Sequence, residues 1–183
     1  MWADGYTRRM SDIFSHAPET PEEESGPLPP IEITRTVAAE PEQAFLGWTE
    51  HIHLWWPMAE YSVSGEDALI DFEGGELVET SAGDQMISWG TVLSSDAPSY
   101  LSFSWHPGVN PLQATEVQLA FSPFRSAAPT ASEGNTPLAS GTELTLTHTG
   151  WQNSTDATTA RTKYLAGWPG ILDRYVRFMG GPV

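Results

Sequence analysis

Hydrophobic and polar positions alternate along most of this chain, and the alternation predicts a sheet. Ile31 and Ile33 are set against polar partners through Val37, which reads as a first strand. The period then changes. Pro41 suits the first turn of a helix that carries Ala44, Phe45 and Trp48 to about Thr49. A second short helix is expected over Glu50 to Trp55, stopping before Pro57. Strands are expected near 60–64, 68–73, 76–81, 85–94, 99–105, 114–122 and 141–148, with Gly74 and Gly75 marking a turn.

In the last four strands one face is apolar. It carries Ile87, Trp89 and Thr91, then Leu101, Phe103 and Trp105, then Val117, Leu119 and Phe121, then Leu144, Leu146 and His148. The opposite face carries Ser102, Ser104, Glu116, Gln118, Thr145 and Thr147. One dry and one wet face imply an antiparallel sheet covered on one side. The cover is a C-terminal helix from about Thr158 to Met179, with Leu165, Trp168, Leu172, Tyr175 and Met179 at three- and four-residue spacing. Pro169 removes a hydrogen bond to the Leu165 carbonyl, so a kink is expected near Gly167–Pro169. The fold class is α+β, a curved antiparallel sheet wrapped around a long C-terminal helix, with two short helices after the first strand. Such a layout can leave a hole between sheet and helix.

Composition sharpens this picture. At 183 residues one domain is the default. Residues 1–30 hold Pro18, Pro21, Glu22, Glu23, Glu24, Pro27, Pro29 and Pro30, and read as a disordered acidic tail ahead of a domain over 31–183. Phe124 to Ser140, poor in apolar residues, reads as a flexible insertion. There is no cysteine, which excludes disulfides, thiolate metal sites and cysteine nucleophiles. No apolar run approaches a membrane span and no signal peptide is visible, so a soluble cytoplasmic protein is expected. The net charge is −16, and the only basic residues beyond residue 30 are Arg35, Arg125, Arg161, Lys163, Arg174 and Arg177. That balance argues against nucleic acid as a partner.

Eight tryptophans are the strongest compositional signal. Each removes roughly 150–250 Å² from water when buried, a gross gain of about 4–6 kcal/mol. They either fill an aromatic core or line a cavity.

Glu50, His51, His53, Trp55 and Trp56, then Gly74, Gly75 and Glu79, Trp89–Gly90, Leu101 to Trp105, Gly141 to Trp151, and Arg161, Tyr164, Gly167 and Trp168 follow in order. Over about residues 31–179 this resembles homologues of the heat-shock-protein-ninety ATPase activator, within the START-like, polyketide-cyclase-like helix-grip superfamily. The resemblance implies the helix-grip fold. It also implies one of three activities: binding of a hydrophobic small molecule, cyclase or aromatase chemistry, or a co-chaperone-like role. True co-chaperones carry a further N-terminal domain, where this chain has a short acidic tail, which argues against chaperone binding.

The candidate ligand wall is Trp55, Trp56, Phe72, Trp89, Phe103, Trp105, Trp168 and Tyr175, since pockets are mostly apolar with a few placed polar groups. His148, on the inward face of its strand, is either a hydrogen-bonded core histidine or a group that orients ligand or moves protons. Glu79, beside Leu77, needs a partner if it points inward and is the second candidate for proton transfer. Arg161 and Tyr164 open the last helix. Arg161 is expected either to pair with Glu73 or Glu79 or to hold an acidic ligand. His51 and His53 are two apart, about 200° around a helix, so they do not share a metal. His106 with Pro107 and Gly108 reads as a turn. No metal, nucleotide-binding or nucleophile-elbow pattern is present, and no cofactor is expected. The leading expectation is a binding module for a hydrophobic or aromatic small molecule. A cofactor-independent cyclase, aromatase or dehydratase using the same cavity is the alternative. A homodimer is compatible with the pattern.

Overall fold

Among the described residues seven strands form one antiparallel sheet, as the alternation requires. The structure, a computed structural model, describes residues 26–125 and 140–181. The tail expected over 1–30 lies outside the described residues as far as residue 25, and so does 126–139 of the expected insertion. The elements run β1 (Ile31–Val37), α1 (Pro41–Thr49), α2 (Ile52–Trp55), α3 (Met58–Tyr61), β2 (Leu69–Glu73), β3 (Glu76–Thr80), β4 (Met86–Asp96), β5 (Tyr100–Trp105), β6 (Thr115–Arg125), β7 (Ser140–Thr149) and α4 (Ala157–Phe178). Single 3₁₀ turns at Pro111–Gln113 and Trp151–Asn153 precede β6 and α4.

Strand order is β1-β7-β6-β5-β4-β3-β2, so the first strand closes one edge beside the last. Register pairs like with like: Leu101 opposite Leu119, Phe103 opposite Val117, and Leu119 opposite Leu146. All six side chains of this inner face on β5 and β6, with Leu144, Leu146 and His148 on β7, are buried. Register shifts at Leu77/Val78 and Val92/Ser94 bend the sheet, which curls into a half-barrel. At Gly90 a Cβ would lie 1.7 Å from the Ser104 carbonyl oxygen, so only glycine permits this approach of β4 to β5.

Helix α4 fills the concave side. Asp156 caps it by accepting from the Thr159 N–H at 3.1 Å. Trp168, Ile171, Leu172, Tyr175 and Val176 are its buried residues. It continues through Pro169, and the carbonyl left without a partner belongs to exposed Leu165, where water can satisfy it. Leu165 was expected on the inward stripe. Instead the stripe extends N-terminally through Tyr164, Ala160 and Ala157, and Leu165, about 100° further round, faces out at 47% exposure.

Helices α1 and α2 pack on the C-terminal half of α4. Trp48 meets Trp55 at 4.8 Å between ring centroids, and Trp55 meets Tyr175 at 5.1 Å. Tyr175 Oη donates to the Ala44 carbonyl at 2.7 Å, and Trp55 Nε1 donates to the Gly47 carbonyl at 2.8 Å. Burial raises the Tyr175 phenol far above its ordinary range. On the other side the Arg35–Asp173 pair, at 2.9 Å, ties β1 to α4.

The expected strand at 60–64 is absent. Met58–Tyr61 is a helical turn, and the chain from Ser62 onward is held by a carboxylate rather than by a neighbouring strand. Among the described residues no helix is long and apolar enough to cross a membrane.

Candidate functional site

Inside the sheet the aromatic residues close on one another. Trp105 lies 5.5 Å from Trp89, 5.8 Å from Trp56, 5.4 Å from Trp168 and 6.1 Å from Tyr164. Edge-to-face and tilted contacts of this kind fill space, and the centre of the domain is packed. At the mouth, the β5–β6 loop and the α3 segment approach the N-terminal half of α4, while larger and shallower clefts lie on the outer face by Leu93 and Glu116 and beside Arg174 and Arg177.

Two clefts occupy that mouth. The first, about 160 Å³, is lined by Trp56, Glu60, Tyr61, Ser62, Val63, Trp89, Trp105, Pro107, Lys163, Tyr164 and Ile171. The second, about 190 Å³, lies on the other side of Pro107 and Tyr164, where His106, Val109, Gln113, Thr115, Ser154 and Ala160 join Trp105 and Lys163. Gly167 shapes the first cleft: a Cβ there would sit 3.0 Å from the Tyr61 hydroxyl, so its absence lets Tyr61 lie against α4.

His148 is sealed behind this wall with no exposed surface. Trp168 Nε1 donates to His148 Nδ1 at 2.9 Å. The ring proton must then sit on Nε2, which faces Thr115 Oγ1 at 2.7 Å, and that hydroxyl donates onward to the Trp105 carbonyl at 3.1 Å. The relay fixes the neutral tautomer. Burial lowers the imidazole to about 3, so it stays uncharged at neutral pH.

Glu79 is also fully buried. Burial alone raises its pKa. The Val63 and Ser64 N–H groups and the Ser62 hydroxyl, at 2.9, 2.6 and 2.7 Å, outweigh that and hold the carboxyl below its ordinary range. It stays ionised and clamps the loop that supplies Ser62 and Val63 to the first cleft.

Of the residues singled out by sequence, Trp56, Trp89, Trp105 and Tyr164 line the clefts. Trp168 and His148 stand one layer behind. Trp55, Phe103 and Tyr175 are core, and Phe72 packs on Phe103 at 5.5 Å. Arg161 does not form the ion pair expected of it. Its Nε donates to the Pro29 carbonyl at 2.7 Å, with Nη2 at 3.4 Å from that of Pro30, and it pairs with neither Glu73 nor Glu79. Its reach is taken up by the backbone just before β1, which runs beside α4.

Sequence reasoning passed over Lys163, Glu60, Tyr61 and His106. Lys163 and Tyr164 are adjacent on α4, and the lysine sits on the flank of the inward stripe, which is the one signal that pointed to it. Burial raises the Tyr164 phenol above its usual range. Among the described residues no group of three or more potential metal ligands occurs.

Comparison with known proteins agrees with this architecture. No family model matches the chain, and no curated protein matches it. Solved structures do. Protein MLL2253 from Mesorhizobium loti is 18% identical with a TM-score of 0.55, covering 81% of this chain and 95% of that one. CalC from Micromonospora echinospora, described as a self-sacrificing resistance protein, is 20% identical with a TM-score of 0.56, covering 82% and 94%. The anthrahydroquino-gamma-pyrone synthase Txn09 is 26% identical with a TM-score of 0.53, covering 82% and 97%. The chain therefore has the helix-grip fold.

Proposed function

We propose that this protein binds a hydrophobic or aromatic small molecule in the paired clefts at the mouth of the helix grip. The observation that carries this reading is the convergence of Trp56, Trp89, Trp105 and Tyr164 on two adjoining clefts, where polar groups such as Glu60, Ser62, Lys163 and Gln113 supply much of the lining. Each cleft alone is smaller than the roughly 300 Å³ at the lower end of ligand pockets, and together they reach it. Pyrone synthesis by Txn09, a protein of the same fold, supports fused aromatic ketones as the first compounds to try. Within the fold, the order of motifs from Glu50 to Trp168 supports placing the chain near the ATPase-activator homologues.

A thermal-shift screen against anthraquinones and related polycyclic ketones tests this. A ligand at a hundred times its Kd adds about 2.7 kcal/mol, which moves the midpoint of a domain this size by about 5–10 °C. No shift with any polycyclic aromatic, and no quenching of tryptophan emission, would sink the reading.

A cofactor-independent cyclase is the second reading, favoured by the likeness to Txn09 and by Glu60, Lys163 and Tyr164 on one cleft wall. In that reading Tyr164 and Glu60 handle protons, because His148 and Glu79 have their polar atoms engaged elsewhere. Turnover of a linear polyketone that survives in Tyr164→Phe and Glu60→Gln would remove those assignments.

A further inference from the structure

The two clefts differ in chemistry. The first is walled by three tryptophans and holds Glu60, the only carboxylate on either wall among the described residues. The second has no carboxylate. It is formed by Lys163, His106, Gln113, Thr115 and Ser154, closed by Trp105, Pro107 and Tyr164. Lys163 forms no ion pair among the described residues, where the pairs are Arg35–Asp173 and His53–Asp71. Arg161, Arg174 and Arg177 form no ion pair among the described residues either, and what sets Lys163 apart is its place on the walls of both clefts.

His106 supplies the independent observation. It belongs to the second wall and is only 5% exposed, and its buried Nδ1, like the indole nitrogens of Trp48, Trp56, Trp89, Trp105 and Trp151, has no hydrogen-bond partner among the described residues. A buried polar atom without a partner is destabilising, so a site that supplies one recovers that cost. In the tautomer that carries its proton on Nδ1, the ring donates. Lys163 and Ser154 line the same cleft.

Each cleft is close to the roughly 150 Å³ that holds one benzene ring. The clefts share Trp105, Pro107, Lys163 and Tyr164, so one elongated molecule can span both. Resting on the reading above, we propose that the second cleft is an anion-selecting subsite: Lys163 and His106 hold a carboxylate or phenolate of the ligand while its aromatic body lies against Trp56, Trp89 and Trp105. Glu60 enforces the orientation by repelling the anionic end from the first cleft.

The test compares anthraquinone-2-carboxylate with its methyl ester, which has the same rings and no charge, by quenching of tryptophan emission at neutral pH. The wild type is expected to bind the carboxylate at least tenfold more tightly. Lys163→Gln should abolish the preference by weakening binding of the carboxylate, and Lys163→Arg should retain most of it. Lys163 is exposed, so neither change threatens folding. Equal affinities in the wild type, or a preference that survives Lys163→Gln, would overturn the subsite and leave the aromatic site standing. Binding of neither compound, nor of any uncharged polycyclic ketone, would overturn both.

Discussion

With both nitrogens of His148 engaged, and Trp151, Tyr164 and Trp168 packed around the ring, protonation has nowhere to place its charge. This sets the sign of a pH effect. The folded-state pKa, about 3, lies below the unfolded value, so between the two only the unfolded chain takes up the proton. The contribution is complete above about pH 6.5 and is lost as pH falls toward 3. The slope approaches about 1.4 kcal/mol per pH unit. Urea unfolding at pH 7, 6 and 5 should show that fall, and His148→Gln should flatten it. A matching slope in the variant would mean another group is responsible. The donor side is tested by Trp168→Phe, which keeps most of the ring and leaves His148 Nδ1 unpaired. Its expected cost is about 1–3 kcal/mol, or some 2–10 °C in Tm, measured by calorimetry.

Among the elements, the α3 segment depends most on one side chain. Three donors from Ser62, Val63 and Ser64 converge on Glu79, whose charged form they stabilise. Because the folded pKa is depressed, this support is present above the ordinary carboxylate value and disappears as pH falls through the lowered one. Glu79→Gln should therefore lower stability by about 1–3 kcal/mol at pH 7, with the gap to wild type narrowing in acid. It should also weaken ligand binding, because Ser62 and Val63 line the first cleft. Hydrogen exchange at the Val63 and Ser64 amides reads the clamp directly, and unchanged protection there would remove it. The segment was misread as a strand because Tyr61 and Val63 alternate with serines. A four-residue helix is too short to show a period, and a loop organised by a distant carboxylate leaves no local signature.

At the scale of the molecule, alternation made the sheet legible, and the three- and four-residue stripe did the same for α4. Both patterns record burial against a face, and burial is what a sequence reports well. The site was less legible because its walls come from segments that meet only after folding. Trp55 and Trp56 are neighbours in sequence. Yet one anchors the core through the Gly47 carbonyl and the other reaches the mouth. His106 opens the turn expected there, its carbonyl accepting from the Val109 N–H at 3.0 Å, and it also belongs to the wall of a cleft, while Lys163 gained meaning only from the β5–β6 loop packed beside it. Arg161 shows the converse: a long cationic side chain has many possible partners, and here two backbone carbonyls took it.

Four indoles, those of Trp56, Trp89, Trp105 and Trp168, lie near enough for their electronic transitions to mix, with each ring locked at one angle to the next. A fixed, handed array of chromophores gives strong near-ultraviolet circular dichroism. Three of the four border the first cleft, so a guest wedged there would tilt one ring against its neighbours and alter that spectrum with the backbone bands unmoved. The same array that seals the interior is therefore a built-in optical gauge of what sits at its door.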